Sequence, residues 1–466
     1  MEEEQKRKEQ WLPTKKKKTK KTISGFGELK KSVQRPKKKN SNQDKIKGRQ
    51  AIAYLKIGKL KEAEDIYREL VKKGSRDHIV YGNLALLCID NQREQIEYLR
   101  FALKLKPDYV NAHLNLGNAL RETGDLFGAI SSYQQALKYK HDFSEAQSNL
   151  GHVYLLVGQY QQGWLKHTFR FKKSQNPVTP YANPSIPEWQ GEMVDLDEKL
   201  LVVAEQGLGD TIHFMRYIPY LRLQGFDIYF CAQPKLHNLI KVSGITSKLL
   251  TQEQANGVKE GKWIPLLSIP KLLNVTPDNP VVTEPYVHAS VEHVIKWKKI
   301  LSKEKAPIIG INWQGEPKTE KTFLRGRSLP LEFFSTISQK NDCKFLSLQK
   351  GFGSDQLEVC SFKDRFVHCQ DQVSNTWDFL ETAAIIHNCD LIITSDTSVA
   401  HLAACMGKTT WCLLHYVPDW RWGMKGKTTF WYPSMRLFRQ KEINNWADVL
   451  ERVAIELKLL LSLENN

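Results

Sequence analysis

Ala204-Glu205-Gln206-Gly207-Leu208-Gly209-Asp210 closes the apolar run that starts at Leu200, and Thr394-Ser395-Asp396-Thr397-Ser398-Val399-Ala400-His401 closes a second run that starts at Asp390. Each pattern is that of a short buried strand that stops abruptly and hands the chain to a helix. In the first, two glycines permit a tight turn, and Thr211 to Leu221 resumes with apolar residues at helical spacing. In the second, Ser395 to Ser398 supplies polar capping residues. Helix N-termini carry unpaired N–H groups and a partial positive charge, so strand-to-helix junctions of open α/β sheets are natural anion sites. Two of them, about 190 residues apart, predict two facing α/β lobes with a cleft between them.

Working outward, the chain of 466 residues is long enough for about three domains, and 41% hydrophobic residues supports real cores. Its net charge of +17 is uneven. Residues 1–48 hold 17 Lys and Arg against 6 Asp and Glu, so most of the excess sits in an N-terminal tail with Lys15 to Lys18 and Lys37 to Lys39. Residues 1–44 have few apolar positions and no periodicity, and are expected to be disordered. By charge alone such a tail touches RNA, anionic lipid or an acidic partner, or merely keeps the chain soluble. No nucleic-acid-reading domain stands behind it, which ranks nucleic acid last among the partners. The eight cysteines show no C-x-x-C and no metal spacing and read as reduced thiols. No apolar run approaches the ~18 residues of a membrane span, and the N-terminus lacks a signal-peptide core, so a cytoplasmic location is expected.

From about residue 45 the chain repeats itself. Small residues recur at Ala51, Ala85, Gly117 and Gly151; turn signals follow at Gly58-Lys59-Leu60, Gly124-Asp125-Leu126 and Gly158-Gln159-Tyr160; Ala63, Ala129 and Gly163 form a second set. The unit is two helices whose small residues let them approach closely. Its period of about 34 residues resembles the tetratricopeptide repeat. Residues 45–175 therefore make an α-solenoid whose concave face either takes a protein partner or braces the next domain. Pro177, Pro180, Pro184 and Pro187 mark a linker over 176–199. Strand-like runs at 200–204, 227–231 and 262–266 then alternate with helical stretches. The alternation restarts at 307–313, 343–348, 391–394 and 410–414. This predicts parallel sheets in two Rossmann-like lobes, 200–305 and 306–460.

Asp210 is placed either to cap a helix beginning at Thr211 or to act from the cleft floor as a general base. Gln206, Gly207 and Gly209 would let a sugar or acceptor approach the backbone beside it. Across the cleft, Asp396, Thr397 and Ser398 open a helix whose hydroxyls and free N–H groups can cradle a diphosphate without a metal. His401, one turn on, either faces the same phosphate or is a satisfied core histidine. Asn312 lies in a loop that leads to Arg325 and Arg327, which would balance leaving-group charge or simply decorate the surface. Gln349 and Lys350, after the next strand, stand where a nucleoside could lie. Trp420, Arg421, Trp422, Phe430, Trp431 and Tyr432 supply aromatic faces and a cation that suit a sugar, or interlobe packing. No acidic pair such as Asp-x-Asp lies near either motif, so no metal and no cofactor is expected.

These pieces, with Ile264 to Pro270, Ser347 to Gly351 and Trp431 to Gln440, resemble the heptosyltransferase-like glycosyltransferases, family 9. They are more similar still to bacterial proteins that fuse tetratricopeptide repeats to such a domain. The resemblance covers about residues 50 to 455. It implies a two-lobed GT-B fold and a metal-independent, inverting transfer of a sugar from a nucleotide sugar. Asp210 matches the family's catalytic aspartate, Arg327 its phosphate-binding position, and Asp396, Thr397 and His401 its diphosphate turn. Ser398 stands where heptosyltransferases usually carry glycine. The function expected is hexosyl or heptosyl transfer to a hydroxyl of a glycan, lipid-linked or protein acceptor recruited by the repeats. The alternative is a repeat scaffold whose GT-B domain binds a sugar nucleotide without turning it over.

Overall fold

The computed structural model describes residues 42–192, 198–322 and 325–464. The expected tail lies outside the described residues apart from its last three.

Eight helices pair in sequence: α1 (Asn42–Lys56) with α2 (Leu60–Lys72), α3 (His78–Leu87) with α4 (Gln92–Leu105), α5 (Val110–Glu122) with α6 (Leu126–Tyr139), and α7 (Ser144–Leu156) with α8 (Tyr160–His167). The recurring small residues do what their spacing implies. A Cβ on Gly117 would stand 2.5 Å from Cε1 of Tyr133, so only glycine lets that ring pack flat on α5. Ala51, Ala63, Ala129 and Tyr133 are fully buried. Side chains start the helices where the sequence is polar: Asp77 accepts from the Ile79 N–H at 2.9 Å and Asp125 from Gly128 at 2.9 Å. The second unit has no glycine at its turn, and Asn91 caps α4 there instead.

Beyond the solenoid lie two parallel sheets. The first runs β3-β2-β1-β4, with β1 (Lys199–Val203), β2 (Asp227–Cys231), β3 (Leu249–Leu250) and β4 (Lys262–Pro265); Leu200 pairs with Ile228 on one side and Lys262 on the other. The second runs β6-β5-β7-β8-β9, with β5 (Ile308–Asn312), β6 (Lys344–Ser347), β7 (Leu391–Ser395), β8 (Thr410–Leu414) and β9 (Met435–Arg439). β5, β7 and β8 are buried on both faces, as parallel central strands must be. In each sheet the strand order reverses beside its first strand, at β1 and at β5. The crevice beyond the strand ends at such a reversal is where open α/β sheets bind ligands. Both opening motifs lie at those ends.

Two local expectations need correction. The stretch from Thr211 to Leu221 is not one helix starting at Thr211 but two, α9 (Leu208–Phe214) and α10 (Tyr217–Leu223). Pro219 lacks the N–H that would bond the carbonyl of Met215, and its ring crowds that carbonyl, so the helix breaks there. Asp210 is therefore the third residue of its helix, not the residue before it. Helix α11 (Val291–Leu301) precedes the expected lobe boundary at 305–306, yet it packs on α12 (Phe379–His387) of the second lobe. Trp297 Nε1 donates to Glu381 Oε1 at 3.1 Å, and Asn388 Nδ2 to the Val294 carbonyl at 3.1 Å.

Candidate functional site

Helix α9 leaves the end of β1 and helix α13 (Ser398–Cys405) the end of β7, and their N-termini meet. Gly209 makes the meeting possible: a Cβ there would stand 3.1 Å from His401 Cδ2 and 3.3 Å from Ser398 Cα. The turn before it is strained. Gln206 sits at φ +61°, a left-handed conformation unusual for glutamine, with its side chain exposed. Gly207 caps α9, and its N–H donates to Asp210 Oδ2 at 3.0 Å. That contact occupies one carboxylate oxygen.

The other oxygen takes a salt bridge from Arg421. Arg421 is only 7% exposed; it also donates to Asp419 Oδ1 at 2.8 Å and lies 4.5 Å from the Trp420 ring centroid. Burial raises the Asp210 pKa, and the Arg421 charge only partly opposes it. Asp396 is pushed up to about 6, first by burial and then by the Asp419 charge, while Arg327 pulls the other way. Arg327 packs against Gly315 and pairs with Glu320 at 3.5 Å. Three carboxylates and two guanidinium groups thus gather near the meeting of the turns, with Asp396 and Arg421 buried and the Asp210 and Asp419 side chains 21% and 19% exposed. A carboxylate whose proton affinity burial has raised, set beside cations, is suited to accept a proton while negative charge develops nearby.

The remaining donor-side candidates are committed elsewhere. Thr397 was expected to offer its hydroxyl to a phosphate; it donates to Asn312 Oδ1 at 2.9 Å and gives its helix no side-chain cap. Asn312 Nδ2 donates to Gln349 Oε1 at 2.9 Å, and that oxygen also accepts the N–H groups of Trp313 and Gln314. Gln349 Nε2 donates to the carbonyls of Gln314 and Phe352, so both ends of this buried side chain brace the loops. Lys350 donates to the Val373 carbonyl, and burial lowers its pKa to about 8. His401 stacks on Trp422 with centroids 5.5 Å apart. Ser398 contributes its backbone N–H at the mouth of α13. Among the described residues no three His, Cys, Asp or Glu side chains are arranged to hold a metal ion.

Trp420, read as a possible sugar platform, is buried and packs edge-on against Trp164 of α8 at 5.2 Å. It belongs to the seam where the solenoid meets both lobes. Trp164 Nε1 donates to the Val275 carbonyl at 2.7 Å, and Tyr160 packs on Phe430. Arg170, just after α8, places two bonds on Glu205, 2.8 Å to Oε2 and 2.7 Å to Oε1, and a third on Ser268 at 2.9 Å. Leu267 N–H donates to the same Glu205 Oε1. Glu205 is thus the pin that fixes the repeats to the β1 end, a role the sequence reading missed. Its signal was only an acidic residue at the end of an otherwise apolar run. His213 and Arg216, on and just after the helix of Asp210, and Asp419, two residues before Arg421, were missed as well, because no local pattern shows that their side chains turn into the site.

Residues 117–158 match the TPR repeat family. The solenoid is built of TPR repeats. The chain is 21% identical over 438 residues to "Protein FlbA" of Caulobacter vibrioides, spanning 88% of this chain and 72% of that protein. It is 34% identical over 90 residues to a heat shock protein sti1 homolog of Schizosaccharomyces pombe, covering 19% of this chain and 15% of that one. Among solved structures it is similar to MamA (22% identity, 28% of this chain and 76% of that one, TM-score 0.26). It is also similar to the first TPR of Spaghetti (RPAP3) bound to an HSP90 peptide (21% identity, 24% and 91%, TM-score 0.24). TPR repeats are protein-interaction modules, and those of this chain are seated on the candidate site through α8. No helix among the described residues is long and apolar enough to cross a membrane, and all eight cysteines are free.

Proposed function

We propose that the two parallel-sheet lobes form a GT-B-type glycosyltransferase that moves a sugar from a nucleotide sugar to an acceptor hydroxyl, with the TPR repeats recruiting the acceptor. The observation that carries this reading is the meeting of the two turns: Gly209 of the first lobe lies against the α13 N-terminus of the second, and Asp210 beside it pairs with the second lobe's Arg421. Asp210 takes the acceptor's proton as its oxygen attacks the anomeric carbon from the face opposite the leaving group, and inversion follows. The electron pair of the broken bond goes to the departing diphosphate, which the helix N-terminus and the arginines stabilise. Repeats and site are in direct contact, since Trp164 of α8 packs on Trp420, the neighbour of Arg421.

A second reading is a non-catalytic scaffold. It is favoured by the commitment of Asp210 to Arg421, and of Asn312 and Gln349 to each other. A thermal-shift panel of nucleotide sugars separates protein that binds none of them from protein that binds one, because a ligand at a hundred times its Kd adds about 2.7 kcal/mol. Turnover of the bound sugar nucleotide, measured as nucleotide release with the acceptor or with water, then separates enzyme from scaffold. Binding of none of the panel would overturn the transferase reading.

A further inference from the structure

The hydroxyl of Tyr432 lies between two imidazoles, 2.7 Å from Nδ1 of His213 in the first lobe and 2.9 Å from Nδ1 of His401 in the second. All three side chains are buried, at 2%, 0% and 5% exposure for Tyr432, His213 and His401. The Arg216 guanidinium lies 4.5 Å from the Tyr432 ring centroid. Both histidines are neutral at physiological pH, because burial and then the surrounding arginines hold their pKa values well below 6.5. A tyrosine hydroxyl carries one proton and can donate to only one of them. The other must donate its Nδ1–H to the tyrosine oxygen.

Two chains of donors are therefore possible, and the two ends of the chain choose between them. In one, His213 donates to Tyr432, Tyr432 donates to His401 Nδ1, and the remaining proton of His401 is on Nε2. In the reverse chain His213 would carry its proton on Nε2, an atom that is buried without a partner. The reverse chain would also turn a bare His401 Nε2 toward Asp396 Oδ1, 3.9 Å away. Buried orphan N–H groups are rarer than under-used acceptors, and a lone pair facing a carboxylate is repelled. Both ends favour the first chain.

We propose that His213 and Tyr432 are positioning residues that lock His401 as the Nε2–H tautomer, presenting a neutral N–H donor at the Asp396 to Ser398 turn to a phosphate oxygen of a nucleoside diphosphate. At 3.9 Å the His401 N–H closes no hydrogen bond on Asp396, and its ring edge lies against Gly209, where the two turns meet. The lock crosses the lobe boundary, so the first lobe sets the hydrogen-bonding state of a donor in the second. The phosphate part of this inference rests on the transferase reading; the tautomer does not.

The test is made on the full chain labelled with 15N-histidine, with His401 assigned by loss of its signals in His401→Gln. Wild-type His401 is expected to carry its proton on Nε2. Tyr432→Phe and His213→Leu should populate the Nδ1–H form, whereas His213→Asn, whose amide nitrogen replaces Nδ1 as donor, should keep the wild-type state. Inorganic pyrophosphate, titrated by calorimetry, should bind ~10-fold more weakly to Tyr432→Phe and within ~3-fold of wild type to His213→Asn. An Nδ1–H proton in the wild type, or a tautomer indifferent to both disrupting variants, overturns the lock. Tautomers that respond as stated in a protein that takes no pyrophosphate support the lock and overturn its phosphate ligand, and with it the diphosphate site of the transferase.

Discussion

Arg421 lies between Asp210 and Asp419 with its guanidinium out of water, so a change at either acid is felt by a buried charge. As a helix cap alone, Asp210 would tolerate asparagine at little cost; as one of two partners of a buried arginine it does not. Asp210→Asn is expected to lower the unfolding free energy by about 1–3 kcal/mol, since Asp419 still holds Arg421, and a urea titration measures this. On the transferase reading the same variant loses roughly 10²–10⁴-fold in turnover with donor affinity nearly intact. Steady-state rates beside donor titrations check it, and wild-type turnover would remove Asp210 from the mechanism. Thr397→Val deletes the hydroxyl that binds Asn312, so its expected effect is a loss of about 1 kcal/mol of stability. A large fall in nucleotide affinity without that loss would show that the hydroxyl turns to the ligand.

At the level of elements, the link between α8 and the end of β1 is a buried ion pair, with Arg170 and Glu205 at 2% and 1% exposure. Removing one partner leaves an uncompensated charge in a dry seam. Glu205→Gln should therefore destabilise by about 3–5 kcal/mol, whereas the paired replacement Arg170→Met with Glu205→Leu should cost less than either single change. Equal or greater loss in the double variant, measured by denaturant unfolding, would show that the pair stabilises by attraction beyond its desolvation cost. The broken α9–α10 helix makes a related point. Pro219 ends α9 just after His213 and Phe214, and Arg216 lies in the break, where its Nη1 donates to the Trp431 carbonyl at 2.7 Å. A proline three residues after Arg216 thus places a cation under the second lobe's aromatic loop.

Across the whole molecule, buried histidines set the pH response. His152 titrates at about 3 and His415 at about 4, each pushed down from 6.5 chiefly by burial, and burial likewise holds His167, His213 and His401 well below it. The unfolded chain binds these protons at 6.5 and the folded chain does not, so their stabilisation is complete above pH 6.5 and is lost as pH falls toward 4. Asp396 acts in the opposite sense. Its carboxyl titrates at about 6 when folded against 3.8 unfolded, so its stabilisation is present below 3.8 and is lost as pH rises through 6. Asp210, raised by burial too, acts in the same sense as Asp396, and five histidines outweigh the two aspartates: the Tm should be flat from pH 8 to 7 and fall steeply below 6.5. A Tm that holds steady or rises between pH 6.5 and 5 would mean that the histidines are charged in the fold.

Local chemistry was legible in the sequence because it is periodic. The repeat spacing, the small residues between paired helices, and apolar runs such as 227–231 and 410–414 are dictated by side-chain size and backbone hydrogen bonding within a few residues. The strands left unread were β3, two residues long, and β9, whose Met-Arg-Leu-Phe-Arg pattern mixes charge with apolar residues at a sheet edge. The strand ends at 203 and 395 were legible too, and with them the candidate turns. What surrounds Asp210 was not. Arg421, Asp419, His213, Tyr432 and the Arg170–Glu205 pin come together only when two sheets and a solenoid pack, and no local period records which distant side chain will neutralise a buried charge. Sequence by itself determined the repeat helices, the strands other than β3 and β9, and the two turns at strand ends. Tertiary packing alone decided which polar groups are spent on holding those turns together, because the cost of burying them is settled largely by partners from tens to about two hundred residues away.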